Sequence, residues 1–308
     1  MTRIIHDCDP GHDDAIAMLL ALGSPELELL GVTTVAGNQT LEKTTANAIR
    51  VLDHVGRDDV SVAAGAPRPL VRKRRVAAQV HGESGLDGPD LPPPARSPEA
   101  EHAIDWIAQA LTAASEPVTL VPTGPLTNIA LLLARYPQLE TSIERVVLMG
   151  GAIGSGNVTP AAEFNIWADP EAARRVFSSG LDVTMVGLDV THKALMRESH
   201  AARLAASGKA GRLVADLHSF YSQHHARRYG WDGAPVHDAL AVAHVIDASL
   251  LELRDCAVKV DTSGEPSRGR TYVDLWDTTD WEDSCHVAVD VDAERFLELL
   301  IERISGLG

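Results

Sequence analysis

The chain has 308 residues, of which 45% are hydrophobic and 23% charged, enough for one large α/β domain or two modest ones. Its 43 Asp and Glu outnumber 27 Lys and Arg, and the net charge of −16 argues against nucleic acid or an anionic membrane as a partner. Three scattered cysteines, no Cys-x-x-Cys, no leader-like start and no apolar run of about 18 residues predict a cytoplasmic protein in a reducing compartment.

Residues 3–8 read as a strand and 14–22 as a buried helix, followed by a strand at 29–35 and a helix at 41–55. Strands at 118–121, 146–149 and 183–187 alternate with helices at 100–114, 126–134 and 170–177. This alternation predicts an open, mostly parallel sheet with helices on both faces. Two segments break the rhythm. Residues 67–98 hold the basic run Arg72-Lys73-Arg74-Arg75, then His81-Gly82-Glu83-Ser84-Gly85, then Pro92-Pro93-Pro94, and read as a long loop. Residues 198–230 are helical and rich in His and Arg. With no repeat and no linker, residues 1–308 are expected to form a single domain with C-terminal helical additions.

The sharpest signal is Asp7-Cys8-Asp9-Pro10-Gly11-His12-Asp13-Asp14, between the first strand and the first helix. Crowded carboxylates repel one another unless a cation joins them or some stay protonated. At a strand's carboxyl end they would line the crevice where such sheets bind ligands. Helix capping accounts for Asp13 and Asp14 but leaves Asp7 and Asp9 unexplained. An oxygen-rich set suits a hard cation, and no Cys or His pairing favours zinc.

Further motifs sit at similar joints. Asn38 ends the second strand in Val35-Ala36-Gly37-Asn38, as a polar site residue or a turn residue. Thr123-Gly124-Pro125-Leu126-Thr127-Asn128 leaves backbone carbonyls free in a turn, where one could ligate a cation. The glycines of residues 150–156 do not follow the dinucleotide spacing, and no phosphate-loop Lys is present. Asn157, Glu163 and Asn165 offer donors and acceptors suited to sugar hydroxyls. His237-Asp238 opens an apolar helix, where Asp238 is either a cap or a fifth carboxylate, with His237 as a nearby proton donor.

In this order the motifs resemble those of the inosine-uridine-preferring nucleoside hydrolases, from Asp7–Asp14 through Asn38, Thr123–Asn128, Gly156-Asn157, Glu163-Phe164-Asn165 and His237-Asp238 to Arg268-Gly269-Arg270-Thr271. The resemblance implies a Rossmann-like α/β fold, bound Ca²⁺ and N-glycosidic hydrolysis of ribonucleosides in purine or pyrimidine salvage. It implies Asp9, Asp14, Asp238 and the Thr123 carbonyl as calcium ligands, with Asp9 also the general base. Asp13 would bind the ribose 2′-hydroxyl, and Asn157, Glu163 and Asn165 its 3′ and 5′ side, with Asn38 in support. His237 would face the leaving base, with His81 beside it. No Trp stands near His81, which argues against a purine-specific site, although Trp231 lies in the second irregular segment. Asp261 stands where Glu is common, with no catalytic consequence expected. A homo-dimer or homo-tetramer is also implied.

Two other readings compete. A haloacid-dehalogenase-like phosphatase would use Asp7 as nucleophile, but lacks its downstream Lys motif here and leaves Asp13-Asp14 unexplained. A calcium-dependent nucleoside-binding module without turnover would need neither Asp9 as base nor His237 as acid.

Overall fold

The computed structural model describes residues 1–282 and 284–307. Its strands are β1 (Thr2–Cys8), β2 (Leu27–Thr34), β3 (Ser61–Ala64), β4 (Val118–Pro122), β5 (Ile143–Met149), β6 (Val183–Val186), β7 (Leu195–Arg197), β8 (Gly233–Pro235), β9 (Leu251–Val260), β10 (Thr271–Asp274) and β11 (Cys285–Val291). Nine of them, among the described residues, form one sheet in the order β10-β9-β11-β6-β5-β4-β1-β2-β3. From β3 to β11 every neighbouring pair is parallel, and only β9 is reversed, pairing antiparallel with β11 on one side and with β10 on the other.

The helices cover both faces, as the apolar strand runs require. On one face the helices His12–Gly23, Leu41–His54, His237–Ile246 and Ala293–Ser305 pack around Met18, Leu20, Leu240 and Phe296. On the other, Ala103–Ala113, Thr127–Arg135 and Pro170–Phe177 pack around Ile107, Ile129 and Val176. Adjacent Ile4 and Ile5 of β1 enter opposite cores, as strand alternation dictates. The result is the expected single-domain α/β fold with a mostly parallel central sheet.

The C-terminal part holds more than the helices expected of it. Besides Glu198–Ala205, Lys209–Tyr229 and Ala293–Ser305, it adds β9, β10 and β11 to the sheet. The long segment at 67–98 contains one short helix, Ala78–His81, and otherwise runs as loop.

Order within the sheet fixes where ligands go. β1 has β2 on one side and β4 on the other, so the chain reverses its direction of progress across the sheet between them. Such a switch point leaves a crevice at the strands' carboxyl ends. The acidic loop follows β1, and Thr123 follows β4.

Candidate active site

Pro10 and Gly11 end β1 and release the chain into the helix His12–Gly23. Asp14 accepts the Gly11 N–H at 3.0 Å, so the capping role is real for this residue. Its carboxylate also accepts the Thr123 hydroxyl at 2.8 Å and the Asn38 side-chain amide at 3.1 Å. The ends of β1, β2 and β4 are thereby joined through one carboxylate.

Asp9 is fully buried beside it. One oxygen, Oδ2, accepts the Asn38 backbone N–H at 2.5 Å. The other, Oδ1, has no hydrogen-bond partner among the described residues. Gly37 and Gly124 make this placement possible: a Cβ on Gly37 would overlap Asp9 Oδ2, and one on Gly124 would lie 2.7 Å from Oδ1.

Asp13, Asp14 and Asp238 converge, with one carboxylate oxygen of each within 4.8 Å of the others. Asp13 Oδ1 also lacks a partner among the described residues. Burial pushes the carboxyls of Asp9, Asp13, Asp14 and Asp238 above the ordinary range, and the neighbouring carboxylates push Asp9, Asp13 and Asp238 further. Buried acids in this arrangement, with two oxygens left unpaired, fit a hard divalent cation that would supply the missing charge and contacts. The Thr123 carbonyl accepts the Asn165 amide at 2.7 Å and retains a second lone pair. A second grouping, His6, Cys8 and Asp14, is a poorer fit, because burial keeps the Cys8 thiol protonated.

Asp7 does not belong to this set. Its Oδ1 accepts the Thr33 hydroxyl at 2.5 Å and the Asn128 amide at 2.7 Å, while Asn128 also bonds the Thr34 carbonyl and the Ala66 N–H. Asp7 thus ties β1 to β2 and to the helix Thr127–Arg135.

A cleft above these carboxylates holds a cavity of about 140 Å³ that opens to solvent. Asp13, Asn38, Thr123, Asn157, Glu163, Asn165, His81, His237 and Asp238 all line it, whereas Asp9 and Asp14 lie just behind. Several sugar-side candidates also have structural duties. Glu163 accepts the N–H groups of Gly151, Asn165 and Ile166, and burial raises its carboxyl to about 7. Asn157 accepts the Phe164 N–H at 2.9 Å. The glycine loop before them is pinned by Asp189 at Ile153 and Gly154, and by the Thr271 hydroxyl at Ala152.

The other wall is built from imidazoles and phenols. His237 is buried, with Nδ1 2.7 Å from the Thr191 hydroxyl, and burial holds its pKa well below the usual histidine value. His81 accepts the His12 backbone N–H at 3.2 Å and packs against the rings of both His12 and Tyr221, which also stack on each other. Its pKa is likewise depressed, by burial first and then by His12. Tyr221, His225 and Tyr229 recur every four residues on the helix Lys209–Tyr229 and line the same cleft. A carboxylate cluster for a cation, polar groups for a sugar and rings for a flat heterocycle therefore share one crevice.

The family model described as inosine-uridine preferring nucleoside hydrolase matches residues 4–298. The chain belongs to this family. It hydrolyses the N-glycosidic bond of ribonucleosides. It is 49% identical over 304 residues to the pyrimidine-specific ribonucleoside hydrolase RihA of Photobacterium profundum, with 98% of each chain covered. RihA of Salmonella schwarzengrund is 48% identical at the same coverage. The purine-preferring ribonucleoside hydrolase from Gardnerella vaginalis superposes with a TM-score of 0.93 at 38% identity, covering 99% of each chain.

The sequence of this hydrolase pointed to His81 and His237 in the ring wall but not to the rings on the helix Lys209–Tyr229. Tyr221, His225 and Tyr229 were recoverable from their spacing on one helix face. Thr191 carried no such signal, because only the fold brings it to His237.

Proposed function

We propose that this chain cleaves pyrimidine ribonucleosides such as uridine to ribose and free base, with Ca²⁺ held by Asp9, Asp14, Asp238 and the Thr123 carbonyl. The observation that carries this reading is the unpaired Asp9 Oδ1, buried beside Asp14 and just behind the cleft that His237 lines. When bound, the cation supplies positive charge that draws the ribose diol and a water into the acidic cluster.

The chain's own groups then divide the work. Asp9 accepts a proton from the attacking water as general base. Asp13 accepts a hydrogen bond from the ribose 2′-hydroxyl, and Asn38 supports the cluster by fixing Asp9 and Asp14. Asn157, Glu163 and Asn165 hold the 3′ and 5′ side of the sugar. The surrounding carboxylates stabilise the oxocarbenium-like ribosyl group electrostatically. His237 serves the departing base, with His81 as auxiliary. Water arriving opposite the base gives inversion at C1′. The pyrimidine preference is supported by the names of relatives at about 49% identity and by the lack of a Trp beside His81.

We further propose that residues 1–308 act as one domain in a homo-dimer or homo-tetramer in the cytoplasm. Among the described residues no helix is long and apolar enough to cross a membrane.

The test is ribose release from uridine, cytidine, inosine and adenosine, with and without a chelator, for the wild type and Asp9→Asn. Pyrimidine turnover that stops in chelator, and falls about a thousandfold in Asp9→Asn, is expected. Purine-only turnover, turnover that persists in chelator, or near-wild-type turnover in Asp9→Asn would each overturn its part of the assignment.

A further inference from the structure

The one-turn helix Leu188–Thr191 follows β6 and brings Thr191 against the first residue of the helix His237–Ile246. Thr191 is completely buried, and its Oγ1 lies 2.7 Å from His237 Nδ1. The hydroxyl makes no other hydrogen bond among the described residues. A buried hydroxyl has one hydrogen to donate, and leaving it unused is unfavourable. The only acceptor offered to it is the Nδ1 lone pair. If Nδ1 carried the ring hydrogen instead, the Thr191 hydrogen would have nowhere to go.

We infer that Thr191 is a positioning residue for catalysis: its hydroxyl donates to His237 Nδ1 and holds the ring as the Nε2–H tautomer, so that an N–H donor is presented to the leaving base. This rests on the leaving-group role given to His237 above. Nε2 has no protein partner among the described residues, and the ring lines the cleft. When the bond from C1′ to the base nitrogen breaks, its electron pair stays with the base and spreads onto the carbonyl oxygens of uracil. A hydrogen bond from Nε2–H to such an oxygen stabilises that charge; the opposite tautomer would meet it with a lone pair. His225 shows what a different partner does. Its Nδ1 lies 3.1 Å from the Tyr221 carbonyl, which can only accept, so that ring must carry its hydrogen on Nδ1. Two cleft histidines thus hold opposite tautomers, each set by the group behind it.

The experiment compares wild type, Thr191→Val, Thr191→Ser and His237→Ala in calcium. Two readouts are taken: kcat/KM for uridine and for 4-nitrophenyl riboside, and the imidazole ¹⁵N shifts of ¹⁵N-histidine-labelled protein, with His237 assigned by its loss in His237→Ala. Wild type and Thr191→Ser are expected to show the Nε2–H pattern, and Thr191→Val a mixture. Uridine cleavage in Thr191→Val should fall about tenfold, the scale of one misdirected hydrogen bond, with nitrophenyl riboside changed by no more than about twofold. Thr191→Ser should recover most of the loss. An Nδ1–H pattern in wild-type His237 overturns the inference whatever the variants do, as does equal slowing of both substrates in Thr191→Val. Should His237→Ala slow both substrates equally, the leaving-group role itself fails, while the ¹⁵N shifts still decide the tautomer.

Discussion

The Thr123 hydroxyl donates to Asp14 at 2.8 Å and so ties the turn after β4 to the helix that follows β1. This contact spans the switch point of the sheet and sets the spacing between the Thr123 carbonyl and the carboxylate cluster. Asp14→Ala removes a proposed cation ligand, the cap on Gly11 and this tie together. It should lower turnover by at least about a hundredfold and abolish the thermal stabilisation that added Ca²⁺ gives the wild type. Metal analysis and melting curves with and without calcium check it; unchanged calcium binding in this variant would contradict the ligand set.

Gly37→Ala tests the placement of Asp9 without touching its chemistry. The new methyl would overlap Asp9 Oδ2 and push the carboxylate away from Asn38. A shift of about 1 Å in a catalytic group costs up to a hundredfold. The expected result is a fall in kcat of at least about tenfold with the far-UV circular dichroism unchanged. Wild-type kcat would mean that the loop adjusts at no cost to Asp9.

His237→Ala should discriminate between leaving groups. Uracil needs a hydrogen bond or proton to depart, whereas nitrophenolate needs neither. Loss of the imidazole should slow uridine about a hundredfold and 4-nitrophenyl riboside far less. Parallel measurements on His81→Ala should show the smaller effect of an auxiliary group. Equal slowing of natural and activated substrates by His237→Ala excludes the leaving-group role.

Asp261 gives a pH-dependent prediction for stability. Hydrogen bonds from Ser263 and Ser267 lower its pKa from 3.8 to about 2. The folded carboxyl is thus more acidic than the unfolded one. Its contribution is complete above about pH 4 and is lost as the pH falls through about 2. Solvent screening keeps that contribution small, so Asp261→Asn should lower Tm by only about 2 °C at pH 6. The gap to the wild type should narrow as pH drops from 4 to 2, with turnover at neutral pH changed by no more than about twofold. A gap that widens on acidification would contradict the sign.

Most of the parallel sheet was legible because buried parallel strands are short apolar runs, and β1, β2, β4, β5 and β6 carry that pattern between clear helices. β9, β10 and β11 escaped because they meet in antiparallel pairs with many polar positions, as in Leu251–Val260, where Glu252, Asp255 and Lys259 interrupt the apolar residues. The acidic loop was legible as a functional cluster, but its four acids do not share one task. Asp7 holds strands and a helix together, Asp14 caps a helix as well as joining the cluster, and only contacts from Thr33, Asn128 and Gly11 distinguish these roles. Asn157, Glu163 and Asn165 were found by residue type, yet their bonds to Phe164, Gly151 and the Thr123 carbonyl could not be read from spacing.

The strand order also divides the molecule into an edge that reacts and an edge that only connects. The acidic loop, Asn38, Thr123 and the glycine loop follow β1, β2, β4 and β5, whereas the turns at Gly56–Asp59 and Ser115–Glu116 precede β3 and β4 at the opposite, amino-terminal edge. Residues Arg57, Asp58 and Asp59 hold nothing that reaches the cleft. Extra length inserted there lengthens the molecule away from bound nucleoside, so descendants of this chain can diverge in size at one rim while the chemistry at the other stays fixed.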